Sequence, residues 1–193
     1  MSMQRGELTR ISKAMSYFLR HSPLAKNDPS GWVEVPELQA NLMERTTLAQ
    51  IREVVEHNNK KRFVLDESVD PPRIRAAQGH SVQLEAPILQ EVLDIDSVPF
   101  AVHVTSKKSW EEIQSAGALD KMRRTHIHFA TLGSHMRSNS WANTLLRLKT
   151  QEAMEAGHKF YLSDNSVLLT EGPLPIEFVE HIDPSDIPAD WRQ

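Results

Sequence analysis

Basic or imidazole side chains cluster at five places in this chain, and their types suit chemistry on a phosphate. Arg20-His21 closes an apolar-periodic run; Lys60-Lys61-Arg62 precedes an alternating run. Gln78-Gly79-His80-Ser81 offers four hydrogen-bond donors, Gly79 through its backbone. Lys121, Arg123, Arg124, His126 and His128 form the densest basic stretch, and Met136-Arg137-Ser138-Asn139 adds an arginine in a polar loop. A guanidinium presents a planar fork to phosphate oxygens, and an imidazole transfers protons near neutrality. Each group also has a local reading without chemistry. His21 suits the negative end of a helix dipole, Lys60 to Arg62 suit a solvated turn, and Gln78 to Ser81 suit the closing of a hairpin. The histidines at 126 and 128 read as one facing a cleft and the other facing away. No carboxylate or cysteine stands near them at ligand spacing, so no metal is expected.

Several phosphate and nucleophile devices are missing from the sequence. There is no Walker loop, no GxGxxG and no GxSxG. With only 7 glycines, a glycine-cradled phosphate is disfavoured and arginines are left to hold any phosphate. The chain has no cysteine, which excludes disulfides, thiolate metal sites and a cysteine nucleophile, and fits an intracellular protein of cytoplasm or nucleus. Net charge is −4. Residues 150–193 hold nine acidic side chains against Lys159 and Arg192, a balance of −7, so the remainder carries +3. A basic face beneath an acidic total is compatible with a phosphate-bearing partner, and equally with ordinary solvated charge.

The elements that must position these groups read as two sets. The 193 residues are 39% hydrophobic with mean hydropathy −0.45, enough for a real core, and no apolar run is long enough to span a membrane. The N-terminal MSMQRGELTR has no leader-like apolar stretch. Leu8, Ile11, Met15, Phe18 and Leu19 predict a helix over 6–21, ended by Pro23. Gly31 to Val35 reads as extended, and Pro36 opens a brief helix through Met43. Thr46 or Thr47 caps a helix carrying Leu48, Ile51, Val54 and Val55, stopped at Asn58-Asn59. Arg62 to Asp66 and Arg73 to Gln78 alternate as a hairpin. Three short helices and a hairpin are the layout of a winged helix.

Residues 83–98 read as a connector. Beyond it, Phe100 to Val104 predicts a strand, and Thr105 or Ser106 caps a helix with Trp110 and Ile113 that Gly117 closes. His126 to Ala130 and Leu145 to Leu148 predict strands, the latter followed by a short helix to Gly157. Lys159 to Leu162, Val167 to Thr170 and Ile176 to Val179 complete a strand-rich half. No internal repeat is present.

Taken in order, these pieces resemble one family from residue 11 to residue 175. ISKAMSYFLRH, GWVEVPEL, NNKKRF, IRAAQGHS, RRTHIHFA, MRS and FYLSDNSVLLTEGPLP resemble the motifs of the RNA 2′-phosphotransferases, the KptA proteins. Each motif alone is weak; their conserved order is what makes the likeness specific. The resemblance implies an α+β chain, with an N-terminal winged-helix RNA-binding lobe and connector over 1–95 and a β-rich, ADP-ribosyltransferase-like lobe over 96–193. It implies removal of an internal 2′-phosphate from RNA, at a tRNA splice junction. NAD is consumed, giving 2′-hydroxyl RNA, nicotinamide and ADP-ribose 1″,2″-cyclic phosphate. RTHIHFA and MRS resemble the eukaryotic branch, which favours spliced tRNA as partner. A monomer without membrane association is expected.

By the same resemblance, Arg20, His21, Arg62 and Arg124 are the catalytic group. His103 and Thr105, with Ser106, Gly117, His128 and Asn165, are expected on the NAD side. Lys60, Arg75, Gln78, His80, Ser81 and Arg137 are expected on RNA phosphates. Two positions depart from the family pattern. Its HGT reads His103-Val104-Thr105, adding a branched side chain where glycine lets a ligand approach. Its SxNGV reads Ser163-Asp164-Asn165-Ser166-Val167, which bears on a local turn. No carboxylate follows Asn165 until Glu171, which suits a phosphate nucleophile, already anionic, better than a protein side chain. The alternatives are an ADP-ribosyltransferase acting on terminal RNA phosphates and a noncatalytic winged-helix nucleic-acid binder.

Overall fold

Helix α1 (Arg5–His21) buries Ile11, Met15, Phe18 and Leu19 along one face, with Glu7 in its first turn and Arg20 and His21 in its last. These charges complement the helix dipole. Strand β1 (Val33–Glu34) leads directly into α2 (Val35–Asn41), with Pro36 in its first turn. Helix α2 ends at Asn41 rather than continuing to the expected Met43, because Leu42 is already extended at ψ 137°. Helix α3 (Leu48–Glu56) starts with a reciprocal cap. Thr47 Oγ1 accepts from the Gln50 amide at 3.3 Å, and Gln50 Oε1 accepts from the Thr47 amide at 2.9 Å. Such a cap stabilises a helix by about 1 kcal/mol. Strands β2 (Phe63–Asp66) and β3 (Arg73–Ala76) form an antiparallel hairpin with Phe63 opposite Ala76, and β1 pairs with the other edge of β3.

The computed structural model describes residues 3–42, 45–136 and 139–192. Its contacts divide the chain into two compact units, Met1–Ile88 and Leu89–Gln193. The elements above make up the first. Met15, Leu19, Leu38, Ile51 and Ile74 are wholly buried in its core. Met43 and Arg137 lie outside the described residues.

The second unit contains β4 (Gln90–Glu91), β5 (Val102–Thr105), α4 (Lys107–Ala116), β6 (Ala118–Leu119), β7 (Ile127–Phe129), β8 (Thr144–Leu148) and α5 (Thr150–Glu155). It continues with β9 (Tyr161–Leu162), β10 (Leu168–Thr170), β11 (Leu174–Pro175) and β12 (Val179–Ile182). Three antiparallel sheets result, in the orders β4-β9-β10-β7, β12-β8-β5 and β11-β6. Leu119, Phe129, Leu146, Phe160, Leu168 and Leu174 fill the space between them. Burying each such side chain is worth about 1.5–3 kcal/mol. The fold is therefore mixed α/β, with five α-helices and several small antiparallel sheets among the described residues.

Two expected segments differ. The connector over 83–98 is not featureless, since β4 within it pairs with β9. Both β4 side chains are exposed, so no apolar alternation advertises the strand. Ile176 to Val179 is not a strand: Ile176–Phe178 forms a 3₁₀ turn, and the strand begins at Val179 and pairs with β8. The alternation read there is real, but a turn packs Ile176 and Phe178 onto the core equally well.

Candidate active site

In the first unit the end of α1, the start of β2 and the end of the hairpin converge. The last helical carbonyls of α1 need donors. Ser81 and Val82 supply them, their amides donating to the Arg20 carbonyl at 3.0 and 3.4 Å. That contact brings the Ser81 hydroxyl to 2.9 Å from His21 Nδ1. The Ser81 hydroxyl also donates to the Arg20 carbonyl at 3.4 Å, and an Nδ1–H on His21 would let the same oxygen accept from the ring. Gly79 has φ +87°, and a Cβ there would sit 3.7 Å from the Arg20 guanidinium. Glycine thus supplies both the left-handed turn and a close face for the arginine.

Arg62 joins this group through the hairpin, its carbonyl accepting from the Ala77 amide at 2.9 Å. Its side chain is half-buried, and Asn58 Oδ1 accepts from Arg62 Nη1 at 3.3 Å. Burial lowers the Arg62 pKa from its ordinary value, which leaves the cation less hydrated and more available to an anion. His21, Lys60 and Arg62 line a shared groove of about 620 Å³ with Arg5, Lys13 and Tyr17. Arg75 is 5% exposed, its guanidinium 5.0 Å from the Trp32 ring centroid, and His80 is also buried. Gln78 Oε1 is buried, with no hydrogen-bond partner among the described residues.

In the second unit His103 Nδ1 donates to the His128 carbonyl at 2.9 Å, which makes Nε2 the acceptor nitrogen of the neutral ring. The ring packs edge-on against Phe129. Thr105 ends β5 and is buried. Ser106 caps α4, its hydroxyl accepting from the Ser109 amide at 3.1 Å, and Gly117 closes the helix at φ +75°. Asn165 is buried in the β9–β10 turn, where its Oδ1 accepts from the Ser163 hydroxyl at 2.9 Å. The Thr131 hydroxyl donates to the Ser166 carbonyl, tying that turn to the exit of β7. Arg124 is exposed in the loop before β7, its amide donating to the Lys121 carbonyl at 3.1 Å.

The reading of His126 and His128 as facing opposite ways is corrected. Residues two apart on a strand share a face, so spacing alone does not set them opposite. Strand β7 spans Ile127–Phe129 with His128 on the side away from buried Ile127 and Phe129, and His126 precedes the strand with its ring 6.4 Å from that of Tyr161. Val104 packs with Val102, Ala130 and Leu145 on the apolar side of β5, so its branch points away from the His103 face. Ser166 has φ +60°, the left-handed conformation that glycine adopts most readily. The Ser81–His21 and Asn58–Arg62 contacts were not anticipated. Asn58 reads from sequence only as a helix stop, and Ser81 as a phosphate ligand. Among the described residues no group of three or more His, Asp or Glu is placed to hold a metal, and no helix is long and apolar enough to cross a membrane.

The first unit thus brings together cations and an imidazole, with no carboxylate among the described residues that line the groove, an arrangement suited to a phosphate. The matching family model is that of the RNA 2′-phosphotransferases, the Tpt1/KptA family, over residues 6–172. A Rhizobium johnstonii chain named for RNA 2′-phosphotransferase activity is 36% identical over 89% of this chain and 92% of its own. The tRNA 2′-phosphotransferase 1 of Danio rerio is 38% identical over 84% of this chain and 78% of its own. A Schizosaccharomyces pombe chain named for tRNA 2′-phosphotransferase activity is 33% identical over 87% of this chain and 48% of its own. The chain belongs to the RNA 2′-phosphotransferase family, and it is an enzyme of that class.

Proposed function

We propose that this protein removes the 2′-phosphate from spliced tRNA in a reaction that consumes NAD. A winged-helix RNA lobe, read from sequence over 1–95, and an ADP-ribosyltransferase-like lobe, read over 96–193, divide the work. The working form is an intracellular monomer. The observation that carries the reading is the His21–Ser81 pair, beside the cationic groove that His21 and Arg62 line, whose described lining residues include no carboxylate.

The donor set in the second unit fits a dinucleotide. His103 is fixed by a backbone carbonyl, and buried Thr105 and Asn165 offer the hydroxyl and amide groups that a carboxamide and ribose hydroxyls require. Ser106, Gly117 and His128 complete the proposed NAD contacts. When bound, NAD would supply the electrophilic ribose carbon that accepts the phosphate, with nicotinamide as the leaving group. Arg20, Arg62 and Arg124 hold the phosphate oxygens and stabilise the charge that builds on them at phosphorus. The attacking phosphate is an anion, so that step needs no protein base. Release from the RNA needs an attacking oxygen at phosphorus, which the 2″-hydroxyl of the ADP-ribose would supply. His21 Nε2, with Nδ1 held beside Ser81, would take that hydroxyl's proton and return one to the departing RNA 2′-oxygen. Lys60, Arg75, Gln78, His80 and Arg137 position the flanking RNA, while Ser81, expected from sequence on an RNA phosphate, acts through His21.

Incubation of 2′-phosphorylated RNA with and without NAD tests the proposal. NAD-dependent conversion to 2′-hydroxyl RNA, with the phosphate recovered as ADP-ribose cyclic phosphate, is expected. An RNA product that keeps ADP-ribose on its phosphate would establish an ADP-ribosyltransferase instead.

A further inference from the structure

Helix α1 carries a second pattern that the phosphate chemistry does not use. Arg5, Thr9, Lys13, Tyr17 and His21 recur at four-residue steps, away from the buried face. At the usual helical rise this stripe is about 24 Å long. All five residues line the same groove as Lys60 and Arg62, and none of the described lining residues is a carboxylate. The groove thus continues from the proposed phosphate site toward the positive end of the helix dipole. Tyr17 stands in it 64% exposed, its ring 6.1 Å from that of His21 at an interplanar angle of 55°. An exposed aromatic ring in a cationic groove is the arrangement that holds unpaired bases while cations follow the backbone.

We propose that this groove is the track for single-stranded RNA leading away from the 2′-phosphorylated nucleotide. Tyr17 stacks on the neighbouring base, and Lys13 and then Arg5 contact successive backbone phosphates. A duplex does not fit this role, because its bases are already stacked on one another. The proposal rests on the phosphotransferase reading of the same lobe and adds to it a footprint that favours longer, unpaired substrates.

The test compares Arg5→Ala/Lys13→Ala, Tyr17→Ala and, as a control outside the groove, Lys26→Ala. Arg5, Lys13 and Tyr17 are all exposed, and Arg5→Gln/Lys13→Gln serves as a second pair should the alanine pair melt early. Turnover is measured on a 2′-phosphorylated dinucleotide and on a 2′-phosphorylated single strand of about ten nucleotides. Binding of the same strand without its 2′-phosphate is followed by anisotropy across a salt series. The double variant should lower the long-to-short ratio of kcat/KM about tenfold. It should also make the salt slope shallower by about 1.4, because each lost single-strand contact removes about 0.7. Tyr17→Ala should weaken binding about fivefold or more with the slope retained. The control should move neither quantity. An unchanged ratio and slope in the double variant, or an equal loss in the control, overturns the groove. Failure of the native protein to turn over the dinucleotide overturns the phosphotransferase reading instead, and the salt slope still decides the groove.

Discussion

The Nδ1 of His21 lies 2.9 Å from the hydroxyl of Ser81, 60 residues further along the chain. The distance follows from helix capping, since the Ser81 amide that satisfies the last turn of α1 also delivers the hydroxyl. A residue that completes a helix therefore also holds the ring of the proposed acid–base group.

Ser81→Ala should keep the fold and lower the single-turnover rate about five- to tenfold, the worth of one net hydrogen bond. His21→Ala should cost about 10²–10⁴. The double variant should be no slower than His21→Ala alone, because Ser81 acts through the imidazole. A double variant slower by the product of the two effects would show that Ser81 contacts substrate independently.

Asn58 and Arg62 make a second such pair, with the asparagine oxygen accepting from the guanidinium at 3.3 Å. Arg62→Lys keeps a cation but loses the planar fork, so kcat/KM on 2′-phosphorylated RNA should fall about 10²–10³. Asn58→Ala leaves the fork in place but loosens it, and about a fivefold loss is expected. If Arg62→Lys is as active as the native protein, Arg62 contributes only charge, and the fork geometry is irrelevant.

Much of this was legible in the sequence, and the unread parts have physical reasons. The helices of the first unit follow from apolar spacing and caps, and of the two candidate caps Thr46 and Thr47 the structure uses Thr47, with Gln50 completing the cap. Strand β4 was not legible, because its two exposed residues pair only through their backbone. Arg20, His21 and Arg62 are recognisable as basic groups, but nothing local reveals that Ser81 and Asn58 orient two of them. Those contacts depend on hairpin register and helix capping across 60 residues for one and four for the other.

Val104 and Ser166, the two departures from the family's glycines, should behave oppositely when glycine is restored. Val104 is 7% exposed within an apolar cluster, so Val104→Gly opens a cavity and frees a strand backbone. It should cost about 2–4 kcal/mol of stability without improving NAD affinity. Ser166→Gly removes a side chain from a left-handed turn at φ +60° and should stabilise the protein by about 0.5–1 kcal/mol. Denaturant titration of both variants, with NAD binding by calorimetry, checks the pair. Tighter NAD binding by Val104→Gly would mean that the Val104 branch faces the cofactor after all.

His126 gives the second unit a pH dependence with a defined sign. Burial pulls its pKa below the ordinary value, Lys121 pushes the same way, and Glu171 opposes them. In the unfolded chain the same imidazole titrates near about 6.5. Between the depressed folded value and that figure, the unfolded chain binds a proton that the folded chain refuses. Stability therefore falls as pH drops through this window, and the loss is complete below the folded pKa. The carboxylates of Asp66 and Glu67, which hydrogen bonds from Ser68 and Arg52 hold below their ordinary values, also lose stability in acid. Their window opens only below about pH 4.3, so the two effects separate. Thermal melts between about pH 7.5 and 5 should show a falling Tm that His126→Gln flattens. Glu171→Gln should steepen the decline, since it removes the charge that favours the imidazolium. A His126→Gln protein with the native pH slope would assign the dependence to another group.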